Sequence, residues 1–376
     1  MKLLGSAVVG AGAILGASAW RRHLSTLEPE LGGEAMVATT DDGWQIGMRR
    51  YRVPAGVQRR GVVVAGHGFA GTSLIWDIEP SVSPARHLAA GGWEFFAVDL
   101  RGRGRSWPGG ARSDSLDWCF DDFVRHDLPT AVAAACEAAE VDHVTWMGLE
   151  MSGQALYAAL IEGTVPQVSA GITIGAPVLT PPDARVPGVT APPMARRGRR
   201  VQFRAGAHHV GPVLAALRSS QLETSFRPQL VDPIVPARYL RHGVPDESVV
   251  LADQFRDWVD NATMRSLDHE VTWSERMGEV AVPMLVMVGA ADLQRPPESV
   301  RAAVEMFGSD HVLYRELGVH LGLAADHGHD DVLAARSSPF EIYPIITDWL
   351  ELQRTERGGV DSGSGGVGGS GFGEAE

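Results

Sequence analysis

The stretch Val144-Thr-Trp-Met-Gly148-Leu-Glu150-Met-Ser152-Gly153-Gln-Ala-Leu-Tyr157 decides the fold. An apolar run ends at Gly148, a sharp turn follows between glycines, and a helical run starts at once. Strand, tight turn, helix is the layout that thrusts one side chain out at the top of a sheet. That side chain is Glu150, where a nucleophilic serine is expected. Ser152 does not replace it, because moving the motif by two residues puts Glu150 and Gln154 where glycines are needed. Ser152 is instead expected to crowd the turn.

Working outward, the chain alternates strands and helices. Ala35–Thr40 and Trp44–Val53 read as an opening antiparallel pair, and Gly61–Gly66 as a strand buried on both faces. A helix over Ser83–Ala90 leads to a strand over Glu94–Asp99 and a Gly/Arg loop, Arg101–Ser106. Phe123–Ala139 is helical, and Gly171–Gly175, Met284–Gly289 and Val312–Leu317 supply further strands before a closing helix, Glu341–Leu352. This pattern predicts an α/β fold with a mostly parallel central sheet and helices on both faces. The core spans 35–177 and 281–353. The gap between is too long for a loop. It opens with Pro-rich turns and continues into helical stretches, with Leu251, Phe255, Trp258, Val259 and Ala262 marking one face. It reads as a helical cap over 178–280.

Composition sets outer bounds. With 376 residues, 44% of them apolar, the chain has ample material for a large core. A net charge of −13 argues against a nucleic-acid partner. Lys2 is the single lysine among 33 basic residues, a bias without functional content. Cys119 and Cys136 allow at most one bridge and no Cys-rich metal site. No metal-ligand spacing or dinucleotide fingerprint appears, so no cofactor is expected. Leu3–Trp20 is uncharged and followed by Arg21 and Arg22, which reads residues 1–22 as a membrane anchor with the body in the cytoplasm. Ala17-Ser18-Ala19 leaves open a cleaved signal and secretion. Residues 358–376 read as a disordered Gly/Ser tail. Arg196-Arg-Gly-Arg-Arg200 with Arg204 is the strongly basic patch, read first as a solvated loop and second as a contact for anionic lipid headgroups.

Several further segments carry a resemblance. His67-Gly68-Phe69 closes a buried strand, and Gly71–Asp77 follows with Trp76. Asp99–Ser106, Trp118-Cys-Phe-Asp-Asp-Phe123 and Asp127-Leu-Pro129 precede the elbow. Gly289-Ala-Ala-Asp292 and Gly328-His329-Asp-Asp331 come after it, ahead of a helix ending Trp349-Leu350. In this order they resemble the α/β-hydrolase fold, and within it the acid (gastric-type) lipases and related bacterial esterases. The resemblance covers roughly residues 35–353. It implies Glu150 at the nucleophile position, His329 as proton carrier with Asp292 behind it, and the backbone N–H groups of Phe69 and Met151 as an oxyanion hole. His329 competes with His327 and His320, and its neighbours Gly328 and Asp331 favour it. His67 reads as structural and His208-His209 as a polar loop.

Glu150 departs from that pattern. Where the family has Gly-His-Ser-Met-Gly-Gly, this chain has Gly148-Leu-Glu-Met-Ser-Gly153. Relatives of this fold that attack saturated carbon use aspartate, but Met151 stands where a halide-holding tryptophan is needed, and Tyr239 is the single cap tyrosine. Glutamate is also longer by about 1.5 Å, and misplacement of that size slows reactions steeply. Three readings follow. A hydrolase of an apolar acyl or ester-like, lipid-like substrate would use Glu150 as nucleophile or as base toward water. A non-catalytic member would pair Glu150 with protonated His329 and plug the pocket. A third would perform another proton transfer in the same cavity. The acid, histidine and oxyanion loop favour the first.

Overall fold

In the computed structural model, which describes residues 27–110, 116–179, 196–197 and 200–363, the buried apolar runs assemble into one large sheet. β1 (Glu34–Thr39) and β2 (Gln45–Tyr51) form the antiparallel pair. β3 (Gly61–Gly66), β4 (Trp93–Val98), β5 (Val144–Leu149) and β6 (Val168–Ile174) follow. Three two-residue strands lie in the insertion: β7 (Arg196–Arg197), β8 (Arg200–Val201) and β9 (Glu247–Ser248). β10 (Met284–Gly289) and β11 (Val312–Leu317) then return to the large sheet. Its order is β1-β2-β4-β3-β5-β6-β10-β11, antiparallel at β1 and β2 and parallel from β4 to β11.

Alternate residues of each central strand feed two separate cores. Val62, Val64, Trp146, Val286 and Val288 pack on one face, while Val63, Ala65, Met147, Leu285 and Met287 pack on the other. Each fully buried side chain of this size contributes roughly 1.5–3 kcal/mol. Strands with no polar face are therefore stable only when covered on both sides.

The cover comes from α1 (Pro84–Ala90), α2 (Leu128–Ala139), α3 (Met151–Glu162), α5 (Val249–Asn261), α6 (Pro297–Val304) and α7 (Tyr343–Gly363), while α4 (Arg204–Ala216) packs within the insertion. Ser83 starts α1 by accepting the Arg86 N–H at 3.1 Å. The helix expected from Phe123 opens as a wider π turn over Phe123–Asp127 before α2. That turn aims Asp127 at Arg101, which bonds it through both its backbone N–H and its Nε at 2.8 Å.

Some expectations need correcting. The insertion carries α4 and α5, but also the small antiparallel sheet of β7, β8 and β9, whose strands are too short to show a period. Leu251, Phe255 and Trp258 form the buried face of α5, whereas Ala262 ends that helix with φ 47°. His208 and His209 sit on α4, not in a loop. The final helix runs on to Gly363, into the Gly/Ser tract. Cys119 and Cys136 are both free. Among the described residues no helix is long and apolar enough to cross a membrane. The anchor segment 1–22 and the tail beyond Gly363 lie outside the described residues.

Insertion and core are latched by one wholly buried carboxylate. Glu247 of β9 pairs with Arg103 of the Gly/Arg loop and accepts from Trp118 Nε1 at 3.1 Å, Ser248 N at 2.9 Å and Ala70 N at 3.3 Å. Ala70 holds a left-handed φ of 51°, so this contact fixes a strained point in the loop after β3.

Candidate active site

Glu150 sits between β5 and α3 with φ 50° and ψ −111°. A non-glycine residue reaches that backbone only where the surroundings over-determine it. Here its N–H is bonded to Ile174 O at 2.7 Å, and its carbonyl accepts from Gly153 N at 2.9 Å and Gln154 N at 3.1 Å. Gly148 is required: a Cβ there would lie 2.4 Å from Gly153 N. Ser152, expected to crowd the turn, is accommodated because the residue opposite it is Gly66, where a Cβ would come within 2.7 Å of the serine Cβ. Its hydroxyl donates to Leu149 O at 3.1 Å and points away from the cavity chemistry.

The Glu150 carboxylate is buried, and both its oxygens are engaged. Oε2 accepts the Phe69 N–H at 2.5 Å. Oε1 accepts from the guanidinium of Arg295, itself buried. Gly68 leaves the room: a Cβ there would stand 3.0 Å from Oε2. Burial pushes the Glu150 pKa up, but Arg295, His329 and the Phe69 N–H more than reverse this and hold it below the ordinary glutamate value. The position at the start of α3 also favours a negative charge.

Asp292 and His329 come together as expected. His329 Nδ1 lies 2.7 Å from Asp292 Oδ2. The other carboxylate oxygen accepts the N–H groups of Gln294 and Arg295, each at 2.8 Å. The turn after β10 thus orients the acid and delivers Arg295 in one stroke. Burial would lower the His329 pKa, yet the carboxylates of Asp292, Asp330 and Glu150 outweigh it and raise the value to about 9. Next to it, burial raises Asp330 to about 7, tempered by His329. His327 lies buried beside Asp331 and His320 on the surface, so neither replaces His329. His67 is a wedge under the loop: the Leu100 N–H donates to its Nε2 at 3.1 Å, which leaves Nδ1–H for Gly68 O at 2.9 Å. Burial first, then Arg103, push its pKa down to about 3, so it is neutral and structural.

Arg295 was not legible as a site residue, since it belongs to no motif. The available signal was the elbow itself, because a buried carboxylate calls for a cation. The ion pair expected between Glu150 and His329 is corrected accordingly: among the described residues Glu150 pairs with Arg295, and His329 with Asp292.

Of these groups Glu150 and His329 border a cavity of about 290 Å³, while Arg295 and Asp292 stand behind them. Phe69, Leu149, Phe203, Leu240 and Val244 make it largely apolar, and Tyr239, Gln294 and Asp330 add polar groups. A second hollow of about 340 Å³, bordered by Tyr51, Asp99, Arg105 and His242, contains neither Glu150 nor His329.

The family described as serine aminopeptidase, S33 matches residues 57–318. The chain belongs to that family of α/β-hydrolases. Membership makes the glutamate at the elbow more informative, because the family's name presupposes a serine. Comparison with curated proteins finds no match. Among solved structures, a thermophilic esterase from Thermogutta terrifontis is similar at 16% identity and TM-score 0.52, over 85% of this chain and 99% of that one. An enol-lactonase from Burkholderia xenovorans LB400 gives 15% and 0.53, over 84% and 100%. A soluble variant of monoglyceride lipase from Saccharomyces cerevisiae gives 18% and 0.51, over 86% and 95%. At such identities the likeness establishes the fold alone.

Proposed function

We propose that this family member binds a neutral, largely apolar acyl or ester-like ligand and does not hydrolyse it through a covalent intermediate. One observation carries the reading: the Glu150 carboxylate itself occupies the oxyanion loop, with Oε2 on the Phe69 N–H and Oε1 on Arg295. Acyl transfer needs a nucleophile with a free lone pair and donors waiting for the developing oxyanion. Here a single side chain engages both. Loss of one oxyanion donor alone costs about 10²–10³ in rate. Attack by a carboxylate on an ester would also give an anhydride, a high-energy intermediate. His329, raised to about 9, is an imidazolium at neutral pH and has no lone pair with which to act as a base.

The charges support a neutral ligand. Glu150 balances Arg295 and Asp292 balances His329, so the pocket offers no uncompensated positive charge to an anion, and the charge left over is the acid of Asp330. Its apolar wall supplies the affinity, with the Tyr239 hydroxyl at hand for a carbonyl or hydroxyl.

A second reading draws on the intact dyad. His329 and Asp292 at 2.7 Å have the arrangement that moves a proton, so Glu150 or a water beside it remains a candidate for hydrolysis. One experiment separates the two. Intact mass and product assays with a fluorophosphonate and with activated acyl esters are run on the wild type, on Glu150→Ala/Arg295→Leu and on Glu150→Ser/Arg295→Leu. The double change is needed because Glu150→Ser or Glu150→Ala alone removes the carboxylate from a buried ion pair, a loss of about 3–5 kcal/mol. The binding reading expects no adduct or turnover in the wild type and a covalent phosphonyl adduct in the serine double variant. Wild-type turnover that disappears in a folded Glu150→Ala/Arg295→Leu would establish the hydrolase instead.

A further inference from the structure

A further cavity, of about 250 Å³, lies where β3, β4 and β5 begin, at the end of the sheet opposite the elbow. Glu150 follows the last residue of β5, so that six-residue strand, roughly 20 Å long, separates the two places. The floor is apolar: Val62, Trp93, Val144 and Leu350 are all buried. The rim is cationic. Arg59 and Arg60 border it from the lead-in to β3, and Arg354 and Arg357 from α7. Among the described residues no acidic side chain lines it.

Arginines matched one to one with carboxylates need no ligand, but these are under-matched. Glu351 serves both Arg60, at 3.5 Å, and Arg354, whose Nε lies 3.0 Å away. Glu94, wholly enclosed, is shared by Arg59 at 3.2 Å and by Arg50 of β2. Arg357 meets no carboxylate among the described residues: it donates to the Ser169 hydroxyl and, at 2.5 Å, to the Ser169 carbonyl. Five guanidiniums therefore share two carboxylates, in a chain whose net charge is −13. Arg357 is also half-buried, and burial lowers its pKa with nothing to offset it. A guanidinium withdrawn from water without a counter-charge is costly, and an anion in the cavity would supply one.

We infer that this cavity is a binding site for a small phosphate monoester with an apolar body. One guanidinium fork satisfies a single carboxylate. Two pairs of arginines that approach from separate elements suit a group with three acceptor oxygens and nearly two negative charges, which a phosphate monoester carries at neutral pH. The apolar floor favours an organic phosphate over bare phosphate. The volume is below the range of about 300–1,000 Å³ usual for drug-sized ligands, which limits the body to about one ring. Two sources carry this chemistry, a soluble phosphate monoester and the headgroup of phosphatidic acid. The site does not rest on the binding reading above, because neither Glu150 nor His329 borders it.

The test is calorimetric titration of the full chain at constant ionic strength with phenyl phosphate, with benzoate and with a short-chain phosphatidic acid kept below micelle formation. Phenyl phosphate is expected to bind once per chain and severalfold tighter than benzoate. Arg357→Gln and Arg60→Gln should each weaken it severalfold. Arg301→Gln is the control, since Arg301 of α6 is as exposed as Arg60 and likewise paired, with Glu316, and it should leave the affinity unchanged. With the arginine variants weakened, tighter binding of phosphatidic acid makes the lipid headgroup the source, and weaker binding makes it a soluble monoester. Absence of binding by either phosphate would overturn the site. So would benzoate binding as well as phenyl phosphate, or equal losses in Arg301→Gln and Arg357→Gln, which mark non-specific charge attraction.

Discussion

The proton on His329 is the residue-scale property with the sharpest consequence. Asp292 and the nearby carboxylates keep it bound in the folded chain to about pH 9, against an ordinary value of 6.5. The unfolded chain releases that proton near 6.5. The stability this contributes is therefore complete below pH 6.5 and is lost as pH rises to about 9, at about 1.4 kcal/mol per pH unit. Asp330, raised from 3.8 to about 7, acts in the same direction lower down, lowering stability as pH rises between those values. Glu150 acts oppositely: its depressed pKa stabilises the fold above its ordinary 4.5, and that contribution is lost in acid. Urea unfolding at a series of pH values is expected to show a decline of roughly 3 kcal/mol between 6.5 and 9. In parallel, the His329 Cε1 proton resonance should titrate near 9. A midpoint near 6.5 would mean that the imidazole is neutral at physiological pH and free to act as a base. At this scale Asp292 and His329 were legible because each follows a recognisable turn beyond a buried strand. Arg295 was not, because its role exists only once the turn after β10 is folded against the elbow.

Elements divide in the same way. The central strands were legible because burial on both faces requires unbroken apolar runs, and Gly61–Gly66 and Met284–Gly289 came out residue for residue. The insertion was harder to read, since its order comes from contacts far apart in sequence, not from periodicity. Glu247 is the clearest case, a two-residue strand's carboxylate that joins Arg103, Trp118 and Ala70. Removing one partner of a buried charge pair costs about 3–5 kcal/mol. Glu247→Ala is thus expected to lower stability by that amount. It should also raise amide hydrogen exchange at residues 68–72 ahead of the rest of the core, because Ala70 loses the contact that holds its left-handed backbone. Unchanged exchange in that loop would show that β3 and the elbow suffice to fix it.

At the scale of the whole molecule, the sheet and the insertion converge on one apolar cavity whose charges cancel in pairs. The exception is Asp330, whose acid opens onto the cavity and titrates near 7. Below that pH the pocket is neutral, and above it one negative charge faces the ligand. Two ligands of equal length, a medium-chain fatty acid and its methyl ester, should respond differently. The ester meets only the apolar wall and the hydroxyl of Tyr239, so its affinity is expected to hold from pH 6 to 8. The carboxylate gains repulsion as Asp330 ionises and should weaken several-fold over the same interval, and Asp330→Asn should abolish that difference. Thermal shifts read this directly, because a ligand at 100 times its Kd stabilises the fold by about 2.7 kcal/mol. Tighter binding of the acid than of the ester above pH 7 would mean that Arg295 or His329 is released from its partner to meet an anion. The paired-charge account of the pocket, and with it the reason Glu150 is held off the chemistry, would then fall.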